Sequence, residues 1–139
     1  MIPKHLSDWN LKVIENLVQQ GVFETDKFDF KESLPDRDDE KGKNRLKRTC
    51  TAFANSIGGF LIFGVKDDKS IEAGIRLVGI EAKSDFPEHF GNFPSQGNPS
   101  IQWEFLNPPI TLSSGRVLHV VHIAKSWSAP HGISTQHRT

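Results

Sequence analysis

The stretch Thr51–Asp68, "TAFANSIGGFLIFGVKDD", decides how this chain folds. Its first half reads as the end of a helix. Gly58–Gly59 stops that helix, because glycine reaches left-handed dihedrals without a Cβ clash. Phe60 to Val65 is continuously apolar, which suits a central strand covered on both faces. Asp67 and Asp68 then stand where the strand ends. Turn chemistry accounts for aspartates there. So does a divalent cation or a nucleic-acid backbone meeting that end of the sheet.

Upstream, the helix is expected from about Asp39 to Ile57, with Leu46, Cys50, Phe53, Ala54 and Ile57 as its core stripe. Its start is acidic (Asp38, Asp39, Glu40), which complements the helix dipole. Basic residues follow: Lys41, Lys43, Arg45, Lys47 and Arg48. Before it, Lys27–Glu32, "KFDFKE", alternates, with Phe28 and Phe30 on one side and Asp29 and Lys31 on the other, as a half-buried strand does. A first helix is expected over "SDWNLKVIENLVQQG", with Ser7 as its N-cap, Gly21 as its stop, and Leu11, Ile14, Leu17 and Val18 on one face.

Downstream, Gly74–Ile80, "GIRLVGI", reads as a short strand. Ala82–Ser100 is rich in Pro, Gly, Asn and Ser and reads as surface with one helical turn near Phe86–Phe90. Ile101–Phe105 and Arg116–Ala124 read as two strands, and the linker between them predicts an antiparallel pair. The order of elements predicts an α+β fold, a mixed sheet with helices packed mainly on one face.

The 139 residues fit one domain. Lys+Arg and Asp+Glu are both 17, so any nucleic-acid reading must rest on local clustering rather than on bulk charge. A single cysteine, Cys50, excludes a disulfide framework and a cysteine-rich zinc site. With no apolar leader core at the N-terminus and no run long enough to span a bilayer, a cytosolic location is expected.

Four groups of residues bear on chemistry. Glu24 and Asp29 lie five residues apart, and Asp67 lies at the end of the apolar strand. If the two strands are neighbours, these carboxylates converge on one edge of the sheet. Magnesium or manganese is content with two or three such ligands, and can activate water and clamp a phosphodiester. Solvated surface acids and a turn are the alternative. Lys41, Arg45 and Arg48 share one helix face at spacings of four and three, with Lys47 beside them and Lys31 on the adjoining strand, and phosphates can dock there. A solvated face balanced by neighbouring acids is the alternative. His119 and His122, three apart on a strand, point to opposite faces and cannot share a metal. Gly58–Gly59 follows a helix and precedes a strand, the reverse of a phosphate-binding loop, so no nucleotide is expected there.

"FDFKES", a helix ending "AFANSIGG", a strand ending "GVKDD", and "SWSAPH" at Ser126–His131 together resemble the Schlafen-type AlbA-like domain. The resemblance covers about Val22 to His131. It implies a nucleic-acid-binding domain. It also implies the metal-dependent nuclease activity of Schlafen members on structured RNA such as transfer RNA. Carried over by motif, their acidic trio falls on Glu24, Asp29 and Asp67, their lysine on Lys31, and their asparagine on Asn55. Asp29 stands where the family has Glu, and Ser56 where it has Thr. Asp68 beside Asp67 leaves open which is the ligand. The resemblance also implies fusion to a winged-helix or other C-terminal effector segment, in which case this chain is a fragment. Schlafen nucleases grip RNA with two lobes, so a homodimer is expected to imitate them.

Overall fold

The structure, a computed structural model, describes residues 2–21, 27–68, 70, 72–82, 85–91 and 101–126. Glu24 and most of "SWSAPH" lie outside the described residues.

A 3₁₀ turn at Leu6–Asp8 leads into helix α1, Leu11–Gln19. The α1 N-cap is Asn10, not Ser7: the Asn10 side chain accepts from the Val13 N–H at 3.0 Å. Ser7 is spent inside the 3₁₀ turn. Strand β1, Phe28–Lys31, follows, then helix α2, Glu40–Asn55, then strand β2, Gly59–Phe63. A short helix α3, Ala73–Arg76, replaces the strand expected over Gly74–Ile80. Only two isolated bridges remain of that strand, Val65–Leu77 and Ile80–Val117, because Gly79 at φ 73° breaks the extended run. Helix α4, Phe86–Gly91, sits where a helical turn was expected. Strands β3 (Trp103–Phe105), β4 (Ile110–Thr111) and β5 (Val117–Ile123) complete the sheet.

The sheet runs β1-β2-β5-β3, with β4 also paired to β5. β1 and β2 are parallel neighbours, with Phe28 opposite Phe60 and Lys31 opposite Phe63. A parallel pair needs a crossover, and α2 supplies it. β5 is antiparallel to β2, β3 and β4, which makes this the expected mixed-sheet α+β fold, with β3 and β5 the expected antiparallel pair.

The helices divide over both faces instead of gathering mainly on one. Leu46, Cys50, Phe53 and Ala54 of α2, with Phe86 and Phe90 of α4, pack on Leu61, Phe63, Val121 and Ile123. Ile14, Leu17 and Val18 of α1, with Trp9, pack on Phe28, Phe30, Phe60, Ile62, Leu118 and Val120. The period-2 alternation of β2 and β5 carries this: every residue of both is apolar or histidine, so each face must be covered. β1 is likewise buried on both sides, Asp29 included, and is not a half-buried strand. Ile57, expected in the α2 stripe, is 59% exposed. The helix stops at Asn55, and Ser56 leaves helical dihedrals, so the stripe does not continue to it.

Gly58, at φ 82°, makes the turn from α2 into β2, and its N–H donates to the Phe53 carbonyl at 2.8 Å. At Gly59 a Cβ would stand 2.5 Å from the Phe53 ring, so the ring packs in the space a side chain would take. Phe53→Ala is expected to cost about 3–5 kcal/mol, and Gly59→Ala about 1–3 kcal/mol through overpacking. In the double variant the Gly59→Ala cost should largely vanish, because the ring it strikes is gone. Urea denaturation of the four proteins checks this; strict additivity would separate Gly59 from Phe53.

Candidate nucleic-acid interface

Because β1 and β2 are parallel and α2 joins them, the carboxyl ends of both strands and the first turns of α2 lie at one end of the sheet. In α/β units that end is where ligands settle. Asp39 caps α2 by accepting from the Gly42 N–H at 2.9 Å. A Cβ at Gly42 would strike the Asp39 carboxylate and push it from its capping position. Beside this cap lies an open groove of about 480 Å³. Leu46 and Phe63 form its apolar base, Lys31 and Arg45 bring positive charge, and Glu32, Asp36 and Asp39 bring negative charge.

The basic residues of α2 do not share one role. Lys43 is occupied: its ammonium reaches Glu40 at 2.7 Å and donates to the Arg37 carbonyl at 2.7 Å. That contact holds the Glu40 carboxyl below the usual range. Lys41, Arg45 and Arg48 are exposed, and none forms an ion pair with a described residue. Lys47 is half-buried. Lys31 is paired with Asp29 at 2.9 Å and keeps its side chain 25% exposed at the groove. Cys50, beneath it, has its thiol pushed up to about 12 by burial, against the opposing pull of Lys31, and is a packing residue, as expected.

The acids are placed as follows. Asp29 lies on the α2 side of β1, 8% exposed, and its Oδ1 is buried without a hydrogen-bond partner. Asp67 lies beyond β2, with its Oδ1 4.0 Å from the Arg76 guanidinium. Arg76 is 1% exposed, donates through Nε to the Lys66 carbonyl at 2.7 Å, and stands over the Phe30 ring, on the α1 side. The contacts of Asp29 and Asp67 therefore run to opposite faces of the sheet. Asp68 closes a local turn, its Oδ1 accepting from the Ser70 N–H at 3.0 Å and the Ser70 hydroxyl at 2.7 Å, and these bonds lower its pKa. Among the described residues no three His, Cys, Asp or Glu side chains are grouped to hold a metal ion. As donors for magnesium or manganese, the carboxylates are of the right hard-oxygen chemistry, and the orphaned Asp29 Oδ1 is the feature that fits such an ion.

Arg76 was not singled out from the sequence. The signal for it was a lone arginine inside the apolar run Ile75–Ile80. Asn55 ends α2. The turn after it is closed by the backbone, with Ser56 and Gly58 both donating to the Phe53 carbonyl.

A mixed sheet with a parallel βαβ unit, a groove at its carboxyl end and a basic helix face beside it define an α+β domain. A family model described as Schlafen, AlbA_2 matches residues 24–139, most of the chain. The chain belongs to this family, and with it to a class of nucleic-acid-related domains. No match was found among curated proteins. Among the described residues no helix is long and apolar enough to cross a membrane.

The two histidines of β5 do point to opposite faces. His122 packs on Phe60 and His119 on Phe86, its ring stacked at a centroid distance of 3.9 Å. His119 is 6% exposed, its Nε2 lacks a partner, and burial pulls its pKa down to about 4. The unfolded chain, with an ordinary histidine, binds the proton first. Native stability should therefore be full above the usual histidine pKa and fall as pH drops toward 4, by about 2 kcal/mol at pH 5. Melting temperatures of wild type and His119→Leu at pH 7 and pH 5 check this. The variant should lose markedly less on acidification, and equal losses would clear His119.

Proposed function

We propose that this domain binds the sugar–phosphate backbone of nucleic acid along the outer face of α2. The observation that carries it is the set Lys41, Arg45 and Arg48, exposed at spacings of four and three and free of ion pairs with described residues. In a chain with equal numbers of acids and bases, unpaired cations held on one rigid helix face are what a phosphate array selects. Lys47 and Lys31 flank the face and contribute at longer range.

The test is the salt dependence of binding. Arg45→Glu with Arg48→Glu should weaken binding to any nucleic acid and flatten the plot of log K against log salt by about 2 for a duplex and about 1.4 for a single strand, since each lost phosphate contact removes about 0.9 or 0.7 respectively. An unchanged slope in the folded double variant would place the interface elsewhere.

A second reading adds cleavage. In it Glu24, Asp29 and Asp67 hold magnesium or manganese; the orphaned Asp29 Oδ1 favours it, and Asp67 joins only by turning away from Arg76 toward the α2 side. The ion, when bound, would supply Lewis-acid activation of water at a phosphodiester. The chain's own part is to hold the Asp29 carboxylate in place through Lys31, 2.9 Å away, and the backbone on α2. In this reading a dimer would bring the second lobe that one chain lacks, and a C-terminal effector segment would extend the grip. Melting curves of wild type and Asp67→Asn with and without Mn²⁺ decide it, with transfer-RNA cleavage followed in parallel. Wild type should gain several degrees from the ion and cleave, while the variant does neither. Identical curves for the two proteins would leave a binding domain without catalysis.

A further inference from the structure

We infer that the groove at the carboxyl end of β1 and β2 receives one unpaired, amino-bearing base, with the strand's phosphates passing outside it on Arg45 and the free face of α2. This rests on the interface proposed above and narrows its substrate to single strands.

The signs of charge make the argument. Five charged side chains border the groove, Lys31 and Arg45 against Glu32, Asp36 and Asp39. A phosphate inside would face the carboxylates at close range and be repelled. The backbone must therefore stay outside, where Lys41, Arg45 and Arg48 are exposed. A base edge meets the same wall differently. A carboxylate only accepts hydrogen bonds, and the exocyclic amines of cytosine and adenine donate them. Thymine and uracil offer a carbonyl oxygen at the same position, which a carboxylate repels instead of accepting from it. Asp39 is already committed to the α2 cap, so Glu32 and Asp36 are the acceptors. Both are exposed, and neither side chain forms an ion pair or hydrogen bond with a described residue.

The shape agrees. The groove, of about 480 Å³, is of the size that small ligands occupy. A paired and stacked base cannot enter it. Leu34 and Pro35, both half-buried in the groove wall, give the ring an apolar edge to rest on. Arg45 belongs to both the groove and the basic face, so one guanidinium can lie flat on the base and still bind the adjoining phosphate.

The experiment compares fluorescent oligo(dC) and oligo(dT) of about 12 nucleotides and a hairpin duplex, at one low salt concentration, by anisotropy. The two pyrimidine strands differ little in stacking but oppositely at the groove wall. Wild type should prefer oligo(dC) to oligo(dT) by about tenfold, and either strand to the hairpin. Glu32→Ala with Asp36→Ala should erase the dC preference while binding stays salt-dependent, and circular dichroism verifies that this variant is folded. Equal binding of dC and dT by wild type, or a hairpin bound as tightly as the strands, overturns this inference and leaves the α2 interface standing. A dC preference that survives in the double variant overturns it as well. Failure to bind any of the three overturns the interface itself, and this inference with it.

Discussion

The Gly58 N–H reaches back to the Phe53 carbonyl at 2.8 Å, with Gly58 at φ 82°, and this bond turns α2 directly into β2. A residue with a Cβ would be strained at that dihedral and would press on the Ile123 carbonyl at 2.8 Å. The turn leaves no slack. β2 must start beneath the end of α2, with Phe53 lying on Gly59, and it must run beside β1 in the same direction. Parallel pairing then puts Lys31, Phe63 and the first turns of α2 at one end of the sheet. The groove and the basic face are consequences of that geometry, so the site inherits its position from a glycine thirteen residues along the chain from Arg45 and nineteen from Asp39.

Burial on both faces sets the electrostatics of what remains. A carboxylate on a strand covered on both sides needs a partner, because an unpaired charge out of water is expensive. Asp29 has Lys31 at 2.9 Å, two residues along the strand and on the same face. Arg76 solves the opposite problem on the other face. Burial pulls its pKa down, while Asp67 and Asp68 pull it up, and the Lys66 carbonyl accepts from its Nε while the Phe30 ring lies under its planar face. Arg76 thereby ties the chain after β2 back to the sheet. The aspartates that ended the opening stretch have at least this structural work: one answers Arg76, the other closes a turn on Ser70.

Most of this architecture was legible in the residues. The unbroken apolar run of β2 required cover on both sides, the Gly-Gly pair required a turn, and Phe28 and Phe30 fell on one face as their alternation required. What was not legible depended on partners distant in sequence. Asp29 looked like the solvent side of a half-buried strand, because nothing local says that α2 returns over it. The helices were expected mainly on one face because the order of elements was the guide, and that order does not show that β2 and β5 are apolar on both faces, with His122 tilted on Phe60 on one side and His119 stacked on Phe86 on the other. The strand expected over Gly74–Ile80 had the right apolar content, but Arg76 is drawn to the Lys66 carbonyl and Gly79 breaks the extension. At the site, the basic stripe could be read from spacing, whereas separating Lys43 from Lys41, Arg45 and Arg48 needed the position of Glu40 and of the Arg37 carbonyl.

A face with three free cations sets a limit on how such a domain can recognise a strand. Counterion release from three phosphate contacts gives a single-strand salt slope of only about −2. Affinity from that source alone is modest and blind to sequence, and the chain's zero net charge adds no long-range field to raise it. Any selectivity must then come from short-range contacts next to the helix. The groove is the feature at that position, and its mixed charge, unsuited to a phosphate, is suited to a base edge. On the interface proposed above, weak backbone contacts beside a discriminating groove would let the domain test many nucleotides and stay on few, the cations setting how often a strand arrives and the groove how long it remains.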